Sequence, residues 1–140
     1  MPLSVAERET FLAEPHIAGL AVEAGDGRGP LAVPVWYDYS PGGELRFLTD
    51  GDSVKAKLIA KAGRFSMLVQ RVSPTYRYVS VEGPVVRTDP TTLEDLTRIS
   101  ARYLPPDAAA GYVQGADLHA LVTFVMRPER WLSADLGALG

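Results

Sequence analysis

The chain contains no cysteine among its 140 residues. Disulfide bonds, thiolate nucleophiles and cysteine-based metal sites are therefore excluded, which fits a reducing compartment. The sequence also lacks an apolar run long enough to span a bilayer, and its start has neither a basic leader nor an apolar segment typical of signal peptides. We therefore expect a soluble, unprocessed cytoplasmic protein with no membrane partner.

Histidine and net charge are both scarce. The two histidines, His16 and His119, are not spaced as metal ligands, so no metal site is predicted. A net charge of -3 and a pI near 5.3 give no general attraction for nucleic acid. The sequence has neither a GxSxG motif nor a P-loop, and no acid pair can be placed on a shared face. We expect that a cofactor carries any chemistry.

Length and a hydrophobic content of 46% suffice for one domain, residues 1–140, with a single core. Capping boxes at Ser4 and Thr91 predict two helices, and Asp107 is the predicted cap of a short helix that ends at Tyr112. Alternating apolar residues predict strands over residues 17–24, 31–39, 44–49, 64–71, 76–87, 119–126 and 131–135. Because the first strands follow each other through tight turns, we predict a mainly β, α+β fold: an antiparallel barrel with peripheral helices.

Two prolines should interrupt this sheet. Pro34 cannot donate to a strand ladder, so it indicates an edge, a bulge, or a place where something other than a strand lies alongside. Gly83-Pro84 interrupts the longest predicted strand and indicates a bulge or bend that helps to close a barrel.

The stretch around Ser53 predicts an anion site. Ser53 is a good N-cap for a helix over residues 54–62, and Lys55 and Lys57 fall in its first turn, where the helix dipole disfavours cations. An anion held by free backbone N–H groups, by the Thr49 and Ser53 hydroxyls and by the two lysines would explain this placement. The alternative is a solvated lysine face on a short helix.

The order and spacing of five motifs resemble the pyridoxamine 5'-phosphate oxidase-like, flavin-binding split β-barrel superfamily. These motifs are Pro34-Val-Trp-Tyr37, Leu45-Arg-Phe-Leu-Thr49, Ser53-Val-Lys55, Arg64-Phe-Ser-Met-Leu-Val69 and Tyr78-Val-Ser-Val-Glu-Gly83. The closing segment Arg130-Trp-Leu-Ser-Ala-Asp-Leu136 and the short length resemble more narrowly the actinobacterial flavin/deazaflavin oxidoreductases.

The resemblance implies a split β-barrel homodimer that binds FMN or the deazaflavin coenzyme F-420 in two grooves between subunits. The residues that it places around the cofactor phosphate are Thr49, Ser53, Lys55 and Lys57. The residues that it places beside the isoalloxazine are Pro34, Val35 and Trp36, with Val69 and Gln70 near the ring or the ribityl chain. Trp36 as plain core and Gln70 as a solvated strand end are the alternatives.

The sequence also departs from the family. Lys57-Leu58-Ile59 stands where members often have Arg-Asn-Leu, so the asparagine contact is missing. Arg127 and Arg130 do not lie in the pattern that vitamin B6 oxidases use for substrate phosphate, so we do not expect that activity.

Two functions follow from the resemblance. The first is an oxidoreductase that transfers hydride between a bound deazaflavin or FMN and a small organic acceptor. The second is a non-catalytic binding or carrier protein for a flavin, deazaflavin or haem-like ligand. Deazaflavin is slightly favoured over FMN, because its phosphodiester and polyglutamate tail would use the many cations of one region. These are Lys55, Lys57, Lys61, Arg64, Arg71, Arg77 and Arg87.

Overall fold

The computed structural model describes residues 1–138. Its α-helices are α1 (Val5–Ala13), α2 (Val54–Ala62), α3 (Leu93–Tyr103) and α4 (Pro106–Gly115). The first four strands are β1 (Ala18–Val22), β2 (Leu31–Val35), β3 (Asp38–Tyr39) and β4 (Leu45–Asp50). The others are β5 (Arg64–Arg71), β6 (Arg77–Pro90), β7 (Leu121–Met126) and β8 (Arg130–Asp135). None of the helices in residues 1–138 is long and apolar enough to cross a membrane.

All strand pairs are antiparallel, in the order β2-β1-β5-β6-β7-β4-β3, and β8 also pairs with β6. The sheet has two halves, and the 14-residue β6 belongs to both. The first residues of β6 pair with β5, and its last residues pair with β7. The predicted α+β antiparallel architecture with peripheral helices is therefore confirmed.

The long strand bends where the sequence predicts. The register of the β6 and β7 pair shifts between Val85 and Arg87, directly after Gly83-Pro84. A Cβ at Gly83 would overlap the carbonyl group of Arg127, so the chain needs glycine at this crossing. The close approach of two backbones, rather than an unusual φ angle, explains this residue.

Alternating side chains of both sheet halves form one core. Phe47 of β4 lies 5.4 Å from Phe65 of β5 and 5.7 Å from Phe124 of β7, measured between ring centroids. Removing these rings from water is the main stabilising contribution that the two sheet halves share. Other fully buried side chains belong to the same cluster: Phe11, Leu12, Leu20, Tyr37, Leu45, Ile59, Met67, Val69, Val79, Val81 and Met126.

The first two helices begin as predicted. Ser4 and Glu7 form a complete capping box at the start of α1. The Ser53 hydroxyl accepts a hydrogen bond from the Ala56 N–H at 3.2 Å, and Gly63 ends α2 in the left-handed region with φ of 74°.

The predicted caps of the last two helices are wrong. Thr92 caps α3, because the Thr91 hydroxyl is buried against that of Thr123 at 2.9 Å and is not available to the helix. Pro105 precedes α4 as its N-cap, so Asp107 lies within the first turn, and the helix continues past Tyr112. A proline at the first helical position is well suited to start a helix without a side-chain cap.

Three predicted strands are shorter than expected, and the first of them, 17–24, covers only Ala18–Val22. The predicted strand 31–39 is interrupted after Val35, and Asp38–Tyr39 pairs with β4 instead of β1. His119 lies in the 3-10 turn Leu118–Ala120, so β7 begins only at Leu121. Pro34 lies on β2, the terminal strand of the sheet order, and pairs with Gly19 of β1. Of the alternatives for Pro34, the edge position is therefore confirmed.

Candidate functional site

A cavity of about 170 Å³ lies where the end of β2, the end of β4 and the start of α2 meet α3 and α4. Five residues of the predicted cofactor site line it, namely Pro34, Val35, Trp36, Thr49 and Lys55. These residues come from two separate stretches of the chain and from three elements. The chemistry of the single residues does not predict that these two stretches meet. Only the resemblance to the family implies it.

One corner of this cavity has hydroxyl groups and a cation. The Thr49 side chain, of which 6% is exposed, has its hydroxyl 3.2 Å from that of Ser53. Ser53 does not line the cavity itself, but its hydroxyl joins Thr49 to the first turn of α2. Lys55 lies in this turn and lines the cavity. The first turn of a helix has backbone N–H groups without helical partners, so the corner is suited to an anion.

All three lysines of the chain lie on α2: Lys55, Lys57 and Lys61. None of them forms an ion pair with a carboxylate of residues 1–138. The four arginines of the same basic region do have acidic partners. The pairs are Arg64 with Glu82 and Glu129, Arg71 and Arg77 with Asp135, and Arg87 with Glu44 and Asp89. Within this basic region, the positive charge available to a ligand is therefore that of the lysines.

The helix separates these lysines into two groups. At 3.6 residues per turn, Lys57 lies about 200° and Lys61 about 240° around the axis from Lys55. Lys57 is exposed and does not line the cavity, whereas Lys55 is half-buried against it. Only Lys55 of the two predicted lysines thus lies at the cavity.

Two aromatic side chains, Trp36 and Tyr112, also line the cavity, and Tyr103 packs against the first of them. The Trp36 indole is stacked on Tyr103 of α3, with ring centroids 4.9 Å apart and an angle of 11° between the planes. Tyr112 of α4 is tilted against the same indole at 5.5 Å. The Tyr103 hydroxyl donates to the His16 carbonyl at 2.8 Å and accepts from the Tyr37 N–H at 3.2 Å. Burial raises the pKa of Tyr103 above its ordinary value.

The two residues at the end of β5 lie outside the cavity. Val69 is fully buried in the core. Gln70 is exposed, and its side-chain oxygen accepts a hydrogen bond from the Tyr76 hydroxyl at 3.1 Å. The structure therefore does not bring these two residues together with Trp36 and Lys55.

Sequence reasoning did not find half of the cavity lining. The missed residues are Leu48, Leu96, Ile99, Tyr112 and Leu121. The spacing of Leu96 and Ile99 gave a signal, since residues three apart lie on the same face of a helix. Such spacing is typical of a buried helix face, but it does not indicate which part of the sheet the face covers.

No family model and no curated protein matches the chain. Solved structures do match it. An F420 reductase is 27% identical, with 89% of this chain and 94% of that chain covered and a TM-score of 0.66. A conserved hypothetical protein from Mycobacterium tuberculosis is 25% identical, covering 95% and 85%, with a TM-score of 0.73. A protein of Listeria innocua described as a pyridoxamine 5'-phosphate oxidase is 14% identical, covering 91% and 97%, with a TM-score of 0.65.

These likenesses cover between 89% and 95% of this chain. The chain has the split β-barrel fold of the pyridoxamine 5'-phosphate oxidase-like superfamily, which confirms the resemblance drawn from the sequence.

Proposed function

We propose that the protein is an oxidoreductase that transfers hydride between a bound deazaflavin or FMN and a small organic acceptor. The observation that carries this proposal is the convergence of Pro34, Val35, Trp36, Thr49 and Lys55 on one cavity. The similarity to an F420 reductase, at 27% identity, supports a flavin-type cofactor. A cytoplasmic location stays a prediction.

Each group of residues would have its own task. Lys55, with the hydroxyls of Thr49 and Ser53, would hold the cofactor phosphate by charge-assisted hydrogen bonds. The backbone after Pro34 belongs to a terminal strand, whose outer N–H and C=O groups can bind the edge of a flat ring. A bound flavin or deazaflavin supplies the hydride chemistry, while the protein supplies orientation and excludes water.

Among the described residues that line the cavity, none has a carboxylate or an imidazole side chain. A proton needed by the acceptor would therefore come from water or from the cofactor. The same observation favours the second candidate, a carrier protein that binds a flavin, deazaflavin or haem-like ligand without turnover. Mixing protein and reduced cofactor with enones, quinones or tetrapyrroles separates the two, because only the oxidoreductase should reoxidise the cofactor.

Deazaflavin is our preferred cofactor. Fewer cations are available to a ligand than the sequence predicts, because within residues 1–138 the arginines of the basic region have acidic partners and the lysines have none. Lys57 and Lys61 lie on one exposed face of α2, where they could bind the polyglutamate tail but not the phosphate. We therefore propose that Lys55 serves the phosphate and that the other two lysines serve the tail.

Titration of the apo-protein with each cofactor at low and high salt tests this proposal. We expect coenzyme F-420 to bind more tightly than FMN and to show the steeper salt dependence, because several charges would contribute. The double variant Lys57→Ala/Lys61→Ala should weaken coenzyme F-420 but leave FMN unchanged. Tighter binding of FMN with a shallow salt response would reverse the choice of cofactor, and binding of neither would contradict the function.

A homodimer is the expected assembly, and the open face of the sheet supports it. One row of residues crosses the sheet, with each member paired to the next on the neighbouring strand. In the order β2, β1, β5, β6 and β8, these residues are Pro34, Gly19, Leu68, Ser80 and Leu132. Leu68 is 42% exposed and Leu132 is 65% exposed. Because a row of small and apolar side chains on a sheet is costly to leave in water, we propose that a second copy covers it.

A further inference from the structure

A second cavity adjoins the candidate cofactor cavity. Its volume is about 410 Å³, and sites for small molecules commonly have about 300–1,000 Å³. It lies between the end of β4, the last half of α4 and the start of β7, and Tyr112 and Leu121 line both cavities. A molecule in the second cavity would therefore be a direct neighbour of the cofactor that we propose for the first.

The second cavity is formed by one chain alone. The sheet row that we assign to the subunit interface crosses β2, β1, β5, β6 and β8, and no described residue that lines the second cavity belongs to these strands. The first cavity, by contrast, includes Pro34, a member of that row. A second copy on the row would reach the edge of the first cavity, whereas the second would keep the lining of a single chain.

Small residues keep the second cavity open. Gly111 and Gly115 lie four apart on the same side of α4, and a Cβ added at either would meet no atom within 4 Å. Ala116 and Ala120 continue the lining. The Tyr112 ring, which is 49% exposed, is the large flat surface beside this space. The shape suits a compact, planar molecule.

Two carboxylates give the second cavity a negative charge. Asp50 lies at the end of β4, and Asp117 lies before the 3-10 turn Leu118–Ala120. Within residues 1–138, neither carboxylate forms an ion pair, and no cationic side chain lines this cavity. The first cavity has the opposite charge, from Lys55. Carboxylates and the face of a tyrosine ring both attract organic cations.

We propose that the second cavity binds the acceptor and that this acceptor is a planar organic cation, an iminium ion. This assignment rests on the proposed oxidoreductase function. A hydride from the reduced cofactor forms a C–H bond at the iminium carbon, the C=N π electrons become the nitrogen lone pair, and the product is a neutral amine. Both electrons come from the cofactor, and the proton that it also loses goes to water, so the protein donates none.

Calorimetric titration of the free protein tests the site without any cofactor. N-Methylisoquinolinium is a permanent planar cation, and isoquinoline at pH 8 is its neutral relative. We expect the cation to bind at least about fivefold more tightly, because its pairs with two exposed carboxylates add to the affinity. Equal affinities would overturn the proposal.

Two double variants locate the charges that matter. Asp50→Asn/Asp117→Asn removes both charges at nearly constant shape and should weaken N-methylisoquinolinium at least about fivefold. Glu23→Gln/Asp26→Asn is the matched control, since it removes two exposed charges between β1 and β2, outside the cavity. It should weaken the cation by less than about twofold in physiological salt. Equal losses in the two double variants would show that only the net charge of the protein acts, which contradicts the site.

Turnover tests whether the bound cation is the acceptor. With reduced coenzyme F-420 or FMN, the protein should accelerate the reduction of N-methyl-dihydroisoquinolinium to its amine, and Asp50→Asn/Asp117→Asn should raise KM at least about fivefold. Binding of cation and cofactor without reduction would overturn the assignment of the acceptor. If neither cofactor binds the unmodified protein, the proposed function fails, and the calorimetric titration still decides whether the second cavity binds the cation.

Discussion

Trp36 and Tyr103 lie face to face, with their ring centroids 4.9 Å apart. The Tyr103 hydroxyl also accepts a hydrogen bond from the N–H of Tyr37, which lies 66 positions earlier in the sequence. This stacking fixes α3 against the end of β2. It therefore gives the cavity a rigid side, against which a ligand could be oriented.

The first prediction concerns the Tyr103 hydroxyl. Tyr103→Phe removes the hydrogen bond to the His16 carbonyl and leaves the Tyr37 N–H without its acceptor. We expect a loss of about 1–3 kcal/mol in the free energy of unfolding, the usual penalty for an unsatisfied buried group. Urea unfolding measures it. Tyr112→Phe is the control, because within residues 1–138 no hydrogen bond to the Tyr112 hydroxyl is found, and its stability should change by less than about 0.5 kcal/mol.

The second prediction concerns the crossing of two backbones at Gly83. Gly83→Ala should lower the free energy of unfolding by about 3 kcal/mol or more, because the added Cβ overlaps the Arg127 carbonyl. Thermal unfolding measures the change. Gly111→Ala places the same methyl group in open space on a helix, and it should be neutral or stabilising. Equal stability of the two variants would contradict the described path of β6.

The third prediction concerns the pH dependence that Asp135 confers. Hydrogen bonds from the Thr75 hydroxyl, the Gly137 N–H and Arg77 lower the pKa of Asp135 to about 2, from 3.8. Because the unfolded chain binds this proton first, the contribution of Asp135 to stability is present above pH 3.8 and is lost as the pH falls towards 2.

Asp135→Asn tests this assignment. The variant should be less stable than the unmodified protein at pH 7, and the difference should shrink between pH 4 and pH 2, as followed by urea unfolding. A difference that stays constant over this range would show that the carboxylate charge of Asp135 does not hold β8 to the turn before β6.

The fourth prediction concerns assembly. Leu132→Glu places a charge at the β8 end of the exposed sheet row, on its most exposed leucine, and should convert the proposed dimer into a monomer. Leu93→Glu is the control, since Leu93 is comparably exposed, at 58%, but lies at the start of α3. Light scattering at micromolar concentration should show a dimer for the unmodified protein and for the control. A monomeric unmodified protein would remove the dimer from the account.

Local features were predictable because they depend on neighbours in sequence. Ser53 caps α2 and Gly63 ends it, since capping needs only a hydroxyl and a residue that tolerates positive φ. The N-cap of α3 was placed one residue too early. Both threonines fit a cap locally, and only the contact of Thr91 with Thr123 decides between them.

The cavity was predictable only in part. The resemblance predicted Pro34 and Lys55 as cofactor-site residues, and both of them line the cavity. Tyr112 was missed because its contact with Trp36 depends on how α4 docks on α3, and docking between elements leaves no local pattern in the sequence. The number of basic residues was a poor guide to free charge, since Arg64 and Arg77 have acidic partners from β6 and β8.

The effect of Lys55 on cofactor binding tests the central claim most directly. Fluorescence titration should show that Lys55→Ala weakens FMN or coenzyme F-420 by about 1.5–3 kcal/mol, or roughly 10- to 150-fold, with little change in stability. Lys57→Ala removes the same charge from the other side of α2 and should weaken FMN by less than about threefold in physiological salt. An unchanged dissociation constant in Lys55→Ala, or equal losses of FMN affinity in the two variants, would contradict a phosphate site at the start of α2.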